Sequence, residues 1–204
     1  KIQQKLPEAR QLRNEIFFSF FTLLIYSGTS GIVLYWYKKG ITKIYLDVND
    51  YGVFYLIGSI LLMILLHDAY FYWTHKLMHS SKWLYQFHKV HHQSHAPTPW
   101  AAFAFHPVEA LISLGIIPLI IFIMPIHPLA LILFLTFMTI YNVLVHLGHE
   151  IFPESSTNHR NWKWQNTTTN HDLHHQIGRG NYGFYFTAWD RIMRTYKVNR
   201  NHKI

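Results

Sequence analysis

Four long apolar stretches constrain this chain more than any other feature. Residues 16–37 run for 22 positions without a charged side chain, and about 20 apolar residues suffice for a helix to cross roughly 30 Å of hydrocarbon. Residues 51–73 form a second run, interrupted late by His67 and Asp68. Residues 108–124 and 129–147 form a third and a fourth, joined by Pro125-Ile126-His127-Pro128, where two prolines stop helix continuation and leave room only for a tight reversal. In lipid each backbone polar group must be satisfied internally, which at this segment length selects helices. The predicted fold is all-α and integral to a membrane, with four transmembrane helices in two hairpins. A helical cap comprises residues 74–107 and 148–204, and residues 1–204 form one domain.

Mean hydropathy is only +0.05 although half of the residues are hydrophobic, so the apolar runs are diluted by a polar portion of similar weight. That portion holds the chemistry. There is no cysteine, which excludes a disulfide framework or a thiolate-bound metal cluster. The first residue is Lys1 rather than Met, so a trimmed N-terminus is expected, with a lost targeting segment left open.

Three of the polar segments are histidine clusters: His75 and His79; His88, His91 and His92; His171, His174 and His175. On a helix, partners at i, i+3 and i+4 lie along one face, so each cluster can aim its imidazoles at one point. A single histidine is ordinarily a packing or surface residue, but H-x-x-H-H occurs twice here. Eight ligands exceed one metal ion, since a closed zinc site takes about four and imidazole suits iron as well. The spacing therefore predicts a dinuclear site. His146 is a ninth candidate at the end of the fourth run, sharing a face with Asn142, which is expected to act through water, and His149 is a tenth. Asp68 lies two turns before His75 and is expected to orient an imidazole through its second ring nitrogen; the competing reading is a helix-end residue reaching water. His67 has no single reading, and His106, before Pro107, is as much a helix-cap neighbour as a site residue. His95, His127, His159 and His202 read as unrelated to the site.

An even number of crossings separates the clusters, so all of them fall on one side. That side holds every one of the 18 lysines and arginines except Lys38, Lys39 and Lys43, and the positive-inside rule makes it cytoplasmic. The net charge of +8 then faces anionic lipid headgroups, and no nucleic-acid motif accompanies it. The sequon at Asn166 is expected to stay unmodified on that face.

In order along the chain stand His67-Asp68-Ala-Tyr-Phe-Tyr72-Trp73-Thr-His75, the two H-x-x-H-H boxes, Phe105-His106-Pro107, Asn142-Val-Leu-Val-His146-Leu-Gly148, Gly180-Asn181-Tyr182-Gly183 and Thr187-Ala-Trp189-Asp190-Arg191. This set resembles the fatty acid hydroxylase superfamily, which includes sterol desaturases, sterol methyl oxidases, and fatty acid and carotenoid hydroxylases. The stretch from Pro97 to Pro107 looks most like sterol C-5 desaturases. Two residues depart from the pattern: His149 stands where many relatives have Tyr, and Arg194 where Gly is usual. The resemblance implies an integral membrane enzyme in which histidines hold two iron ions (Fe2+/Fe3+), with O2 as co-substrate, and which desaturates or hydroxylates a lipid or sterol C–H bond. Zinc or nickel is expected as a replacement in recombinant protein.

The chemistry agrees with the residues. Breaking an unactivated C–H bond needs a redox metal, which zinc is not. Each turnover also needs two external electrons, yet the chain has no flavin, nicotinamide, haem or iron-sulfur motif. A separate donor, a b-type cytochrome or a ferredoxin with its reductase, is expected at the basic cytoplasmic face. The lipid would enter from the bilayer past aromatic residues such as Phe71, Tyr72, Trp73, Trp83, Tyr85, Trp100, Phe103 and Phe105, although an interfacial aromatic belt explains many of these equally well. Two other classes remain open: a membrane metal transporter or binding protein, whose ligands belong near the bilayer midplane, and a dizinc membrane hydrolase, which would include carboxylate ligands.

Overall fold

A computed structural model describes residues 2, 6–152 and 163–198. Among them the chain forms eight α-helices and no strand: α1 (Ala9–Lys38), α2 (Gly52–Ser80), α3 (Lys82–His92), α4 (Pro107–Leu114), α5 (Ile116–Ile123), α6 (Pro128–Val145), α7 (Thr168–Ile177) and α8 (Ala188–Ile192). Short 3-10 turns at Val48–Asp50 and Pro99–Phe103 complete the set.

Three helices, α1, α2 and α6, are long and apolar enough to cross a membrane. They take up the first, second and fourth apolar runs. The third run departs from expectation, because it is not one helix but two, α4 and α5, meeting at Gly115. Pro118 explains the break: it has no N–H for the Leu114 carbonyl, and its ring excludes that carbonyl from its helical position. The Gly115 N–H instead bonds back to Ile112 at 3.0 Å. The Tyr70 hydroxyl, which donates to the same Ile112 carbonyl at 2.6 Å, occupies the space where any side chain at 115 would sit.

The long helices turn apolar side chains outward, among them Phe17, Phe20, Phe54, Leu61, Ile132 and Ile140. The buried residues of α1 are polar: Glu15, Ser19 and Thr22. Ser19 donates to the Trp100 carbonyl at 2.6 Å, and Glu15 accepts from Thr98. A helix that is greasy outside and polar inside suits lipid as its solvent. Between α2, α5 and α6 an apolar core of Leu56, Met63, Ile116, Ile120, Ile121 and Phe134 closes the bundle.

Backbone bonds identify the two ends. Lys43 donates to Ile121 at 2.8 Å and Ile126 to Lys43 at 3.1 Å, so the loop after α1 meets the reversal before α6. The opposite end carries α3, α7, α8 and every histidine cluster. Both histidines that precede a proline are helix caps: Nδ1 of His106 accepts from Val108 N–H at 3.2 Å, and Nδ1 of His127 accepts from Leu129 N–H at 3.1 Å.

Candidate metal centre

Nine imidazoles converge at this end in two groups. His75 and His79 from the last turns of α2, His88 and His92 from α3 and His174 from α7 form one; His91 of α3, His146 just after α6 and His171 and His175 of α7 form the other, and within each group the ligand atoms lie within 4.8 Å of one another. The i, i+3, i+4 spacing does more than aim one face. Within each H-x-x-H-H box it deals the histidines to two groups, with His88 and His92 serving the first and His91 the second. The groups adjoin, His92 and His175 having ring centroids 4.9 Å apart.

In the first group Nε2 atoms approach in pairs: His75 to His88 at 3.2 Å, His88 to His79 at 3.0 Å, His92 to His88 and to His79 at 3.1 Å each, and His174 to His92 at 3.1 Å and to His79 at 3.2 Å. In the second, His171 lies 2.9 Å from His146 and 3.2 Å from His175. Several of these imidazoles donate their other nitrogen outward. Nδ1 of His75 bonds the Tyr182 carbonyl at 3.0 Å, His88 the Glu109 carboxylate at 2.7 Å, His174 the Gly180 carbonyl at 2.7 Å and His146 the Asn142 carbonyl at 2.7 Å. With the proton at Nδ1, the Nε2 atoms face each other with lone pairs, which repel unless a cation sits among them. Ligands at right angles on bonds of about 2.1 Å stand about 3.0 Å apart, and tetrahedral ones about 3.4 Å. The observed spacings are those of ligands gathered around a shared cation, and an all-imidazole donor set suits iron as well as zinc.

Burial, reinforced by the neighbouring imidazoles, holds His91, His171, His174 and His175 well below the ordinary value of 6.5. Burial lowers His92 and His146 to about 4. All are neutral at pH 7, the form that binds metal.

The surroundings differ from expectation in four places. His149 is exposed, with Nδ1 3.1 Å from the Leu147 carbonyl, and belongs to neither group. Asn142 reaches His146 through its backbone carbonyl, while its side chain donates to Ala102. Asp68 is buried but orients no histidine among the described residues; it accepts from the backbone N–H of Tyr185 at 2.8 Å and Phe186 at 3.1 Å. Asp190 clamps the same loop from the other side, accepting from Tyr182 N–H at 2.9 Å and Gly183 N–H at 2.7 Å. The loop needs both clamps because it delivers the Gly180 and Tyr182 carbonyls to His174 and His75. It also needs its glycines: Gly180 has φ +84, and a Cβ there would strike the Thr195 carbonyl. The residue that sequence reasoning missed is Glu109, buried against His88; a carboxylate in the first turn of an otherwise apolar helix is the signal that could have found it.

Asn166, read as a sequon, is buried and gives its side-chain amide to the Gly183 and Phe184 carbonyls at 2.8 and 3.1 Å. Below the histidines, between α1, α2, α4, α5 and α6, lies a cavity of about 260 Å³. Phe71, Phe103, Phe105 and Asn142 form its wall nearest the metal groups. Of the other aromatic residues, Trp73, Trp83 and Trp100 are exposed, and Tyr72 is buried against Trp189.

The chain is 29% identical over 188 residues to a Delta(7)-sterol 5(6)-desaturase of Gibberella zeae, covering 92% of this chain and 57% of the relative. It is 30% identical over 189 residues to lathosterol oxidase of Homo sapiens, covering 92% and 62% respectively. It is 31% identical to the Delta(7)-sterol 5(6)-desaturase of Saccharomyces cerevisiae, over 78% of this chain and 42% of that one. The chain thus spans between two fifths and two thirds of the length of these relatives. No solved structure matches it. The family profile described as fatty acid hydroxylase matches residues 60–195, from mid α2 past the last histidine box and through α8, and the chain belongs to the fatty acid hydroxylase family.

Proposed function

We propose that this protein is an O2-dependent di-iron oxidoreductase that desaturates or hydroxylates a lipid or sterol C–H bond at the membrane interface. The observation that carries the reading is the division of nine histidines, eight buried and His79 part-buried, into a group of five and a group of four, with no carboxylate in either among the described residues. Two iron ions held there would supply the O2 chemistry that cleaves the C–H bond. His75, His79, His88, His92 and His174 would hold one ion, and His91, His146, His171 and His175 the other. Glu109 and the carbonyls of Asn142, Gly180 and Tyr182 keep the imidazoles turned inward. Phe71, Phe103 and Phe105 keep water from the cavity and align an alkyl body beneath the ions.

The reading includes a fourth crossing made by α4 and α5 together, because the contacts at the far end put the close of α5 beside the loop that follows α1. With four crossings the histidines and most basic residues share the cytoplasmic face. Electrons then come from a separate b-type cytochrome or ferredoxin with its reductase. A metal carrier is less well supported, since the histidines gather at one end rather than at mid-span, and a dizinc hydrolase lacks its carboxylates.

The test is reconstitution of iron-loaded protein with a sterol, a donor and its reductase. We expect O2 uptake coupled to a product lighter by two hydrogens or heavier by one oxygen, and none when the donor is omitted. Turnover with O2 and lipid alone, or hydrolysis in place of oxidation, would overturn the proposal.

A further inference from the structure

Deep in α2 stands a histidine that the metal groups leave unused. His67 precedes His75 by two turns, about 12 Å along the helix at about 1.5 Å per residue. Phe71 stands between them, its ring 6.1 Å from His67 and 5.0 Å from His75. The His67 ring is packed edge-on against Phe134 and Phe184, at centroid distances of 5.7 and 5.3 Å, which fixes its orientation. Its Nδ1 lies 3.0 Å from the Tyr185 hydroxyl, which has no other partner among the described residues. The Tyr185 proton has no other acceptor among the described residues, so donation to Nδ1 is the arrangement that pairs it, and it places the ring proton on Nε2. His67 lines the cavity, and Nε2–H has no partner among the described residues.

A free N–H on an apolar wall inside a membrane is costly. Phenylalanine would fill the same aromatic nest without that cost. Of the other polar groups of the wall, the Thr29 and Ser30 hydroxyls donate to the Ile25 and Tyr26 carbonyls of their own helix and the Asn142 amide to Ala102, while the Tyr26 and Ser113 hydroxyls also line the cavity. We propose that His67 is a substrate-recognition residue whose Nε2–H donates to an uncharged oxygen, a hydroxyl or a ketone, at the end of the lipid remote from the reacting carbon. The proposal rests on the lipid-oxidising reading above. It gives the cavity two fixed points, the metal groups and His67, so that lipids are selected by the distance between their oxygen and the carbon that reacts.

The test compares binding of cholestanol and of cholestane, the same skeleton without the hydroxyl, to iron-loaded protein in nanodiscs, read as displacement of a fluorescent sterol. The wild type should prefer cholestanol by about tenfold. His67→Phe should bind both alike by losing affinity for cholestanol only, and His67→Gln, which keeps an N–H, should retain part of the preference. Iron content equal to wild type shows that each variant is folded. Equal binding of the two probes by the wild type, or an undiminished preference in His67→Phe, overturns the assignment. If neither probe binds, the lipid reading falls with it; if both bind alike while sterol oxidation proceeds, this inference falls alone.

Discussion

The five-histidine and four-histidine groups differ in how firmly they are held. In the first, His75, His88 and His174 each donate Nδ1 to a fixed acceptor at 2.7–3.0 Å, one of them the buried Glu109 carboxylate. In the second, His146 does so, but Nδ1 of His91 and of His175 is buried without a partner among the described residues. A second nitrogen that is hydrogen-bonded fixes the tautomer and raises ligand basicity. The first group is thus positioned without a metal, whereas the second would depend more on a bound ion to order it.

The largest effect should come from removing an imidazole. His92→Ala and His171→Ala each should abolish sterol oxidation. Elemental analysis should show His171→Ala keeping about one iron per chain and His92→Ala disturbing both sites, because His92 packs against His175 of the second group. Equal iron loss in the two variants would erase the distinction. Glu109→Gln comes next: its effect should fall on the five-histidine site alone, lowering metal affinity there by about 10 to 100-fold. Titration with a chelator reads the same contrast in the intact protein, the four-histidine ion leaving first, and simultaneous release would contradict it. Acid should weaken both groups. The folded imidazoles sit below their ordinary value of 6.5, for example about 4 at His92 and His146. The unfolded chain therefore binds more protons than the folded one as pH falls below that ordinary value, and both stability and metal retention decline with it.

Smaller effects are expected in the loop that serves the first site. Asp68→Ala leaves the Tyr185 and Phe186 N–H groups unpaired and should cost about 1 to 3 kcal/mol of stability, measured as a lowered denaturation midpoint. Asp68→Asn keeps an acceptor oxygen and should cost less. The smallest is Arg194→Gly. Arg194 has φ +58, a conformation in which a side chain costs about 1 kcal/mol, so glycine should stabilise the protein by a similar amount.

The parts governed by local periodicity were legible in the sequence. The boxes His88-His91-His92 and His171-His174-His175 and the spans 16–37, 51–73 and 129–147 follow from helix geometry and hydropathy alone, and the structure places nine of the ten candidate histidines together. The rest turned on contacts distant in sequence. Glu109 was hidden because its partner His88 lies 21 residues away. Asp68 sits on the helix face expected of it, yet its carboxylate meets a loop 117 residues on, so its role passes from an imidazole to the backbone that carries the Tyr182 carbonyl. His149 was misplaced because the helical spacing behind its assignment ends with α6 at Val145. In the third apolar run hydropathy concealed Pro118, which matters to the hydrogen-bond ladder rather than to the mean.

The measurement that bears most directly on this account is the iron content of purified, donor-dependent active protein, with the two ions distinguished by Mössbauer spectroscopy. The account predicts two irons per chain in two unlike histidine environments, the five-coordinating group and the four-coordinating group. One iron per chain at full activity, or full activity with zinc alone, would contradict it.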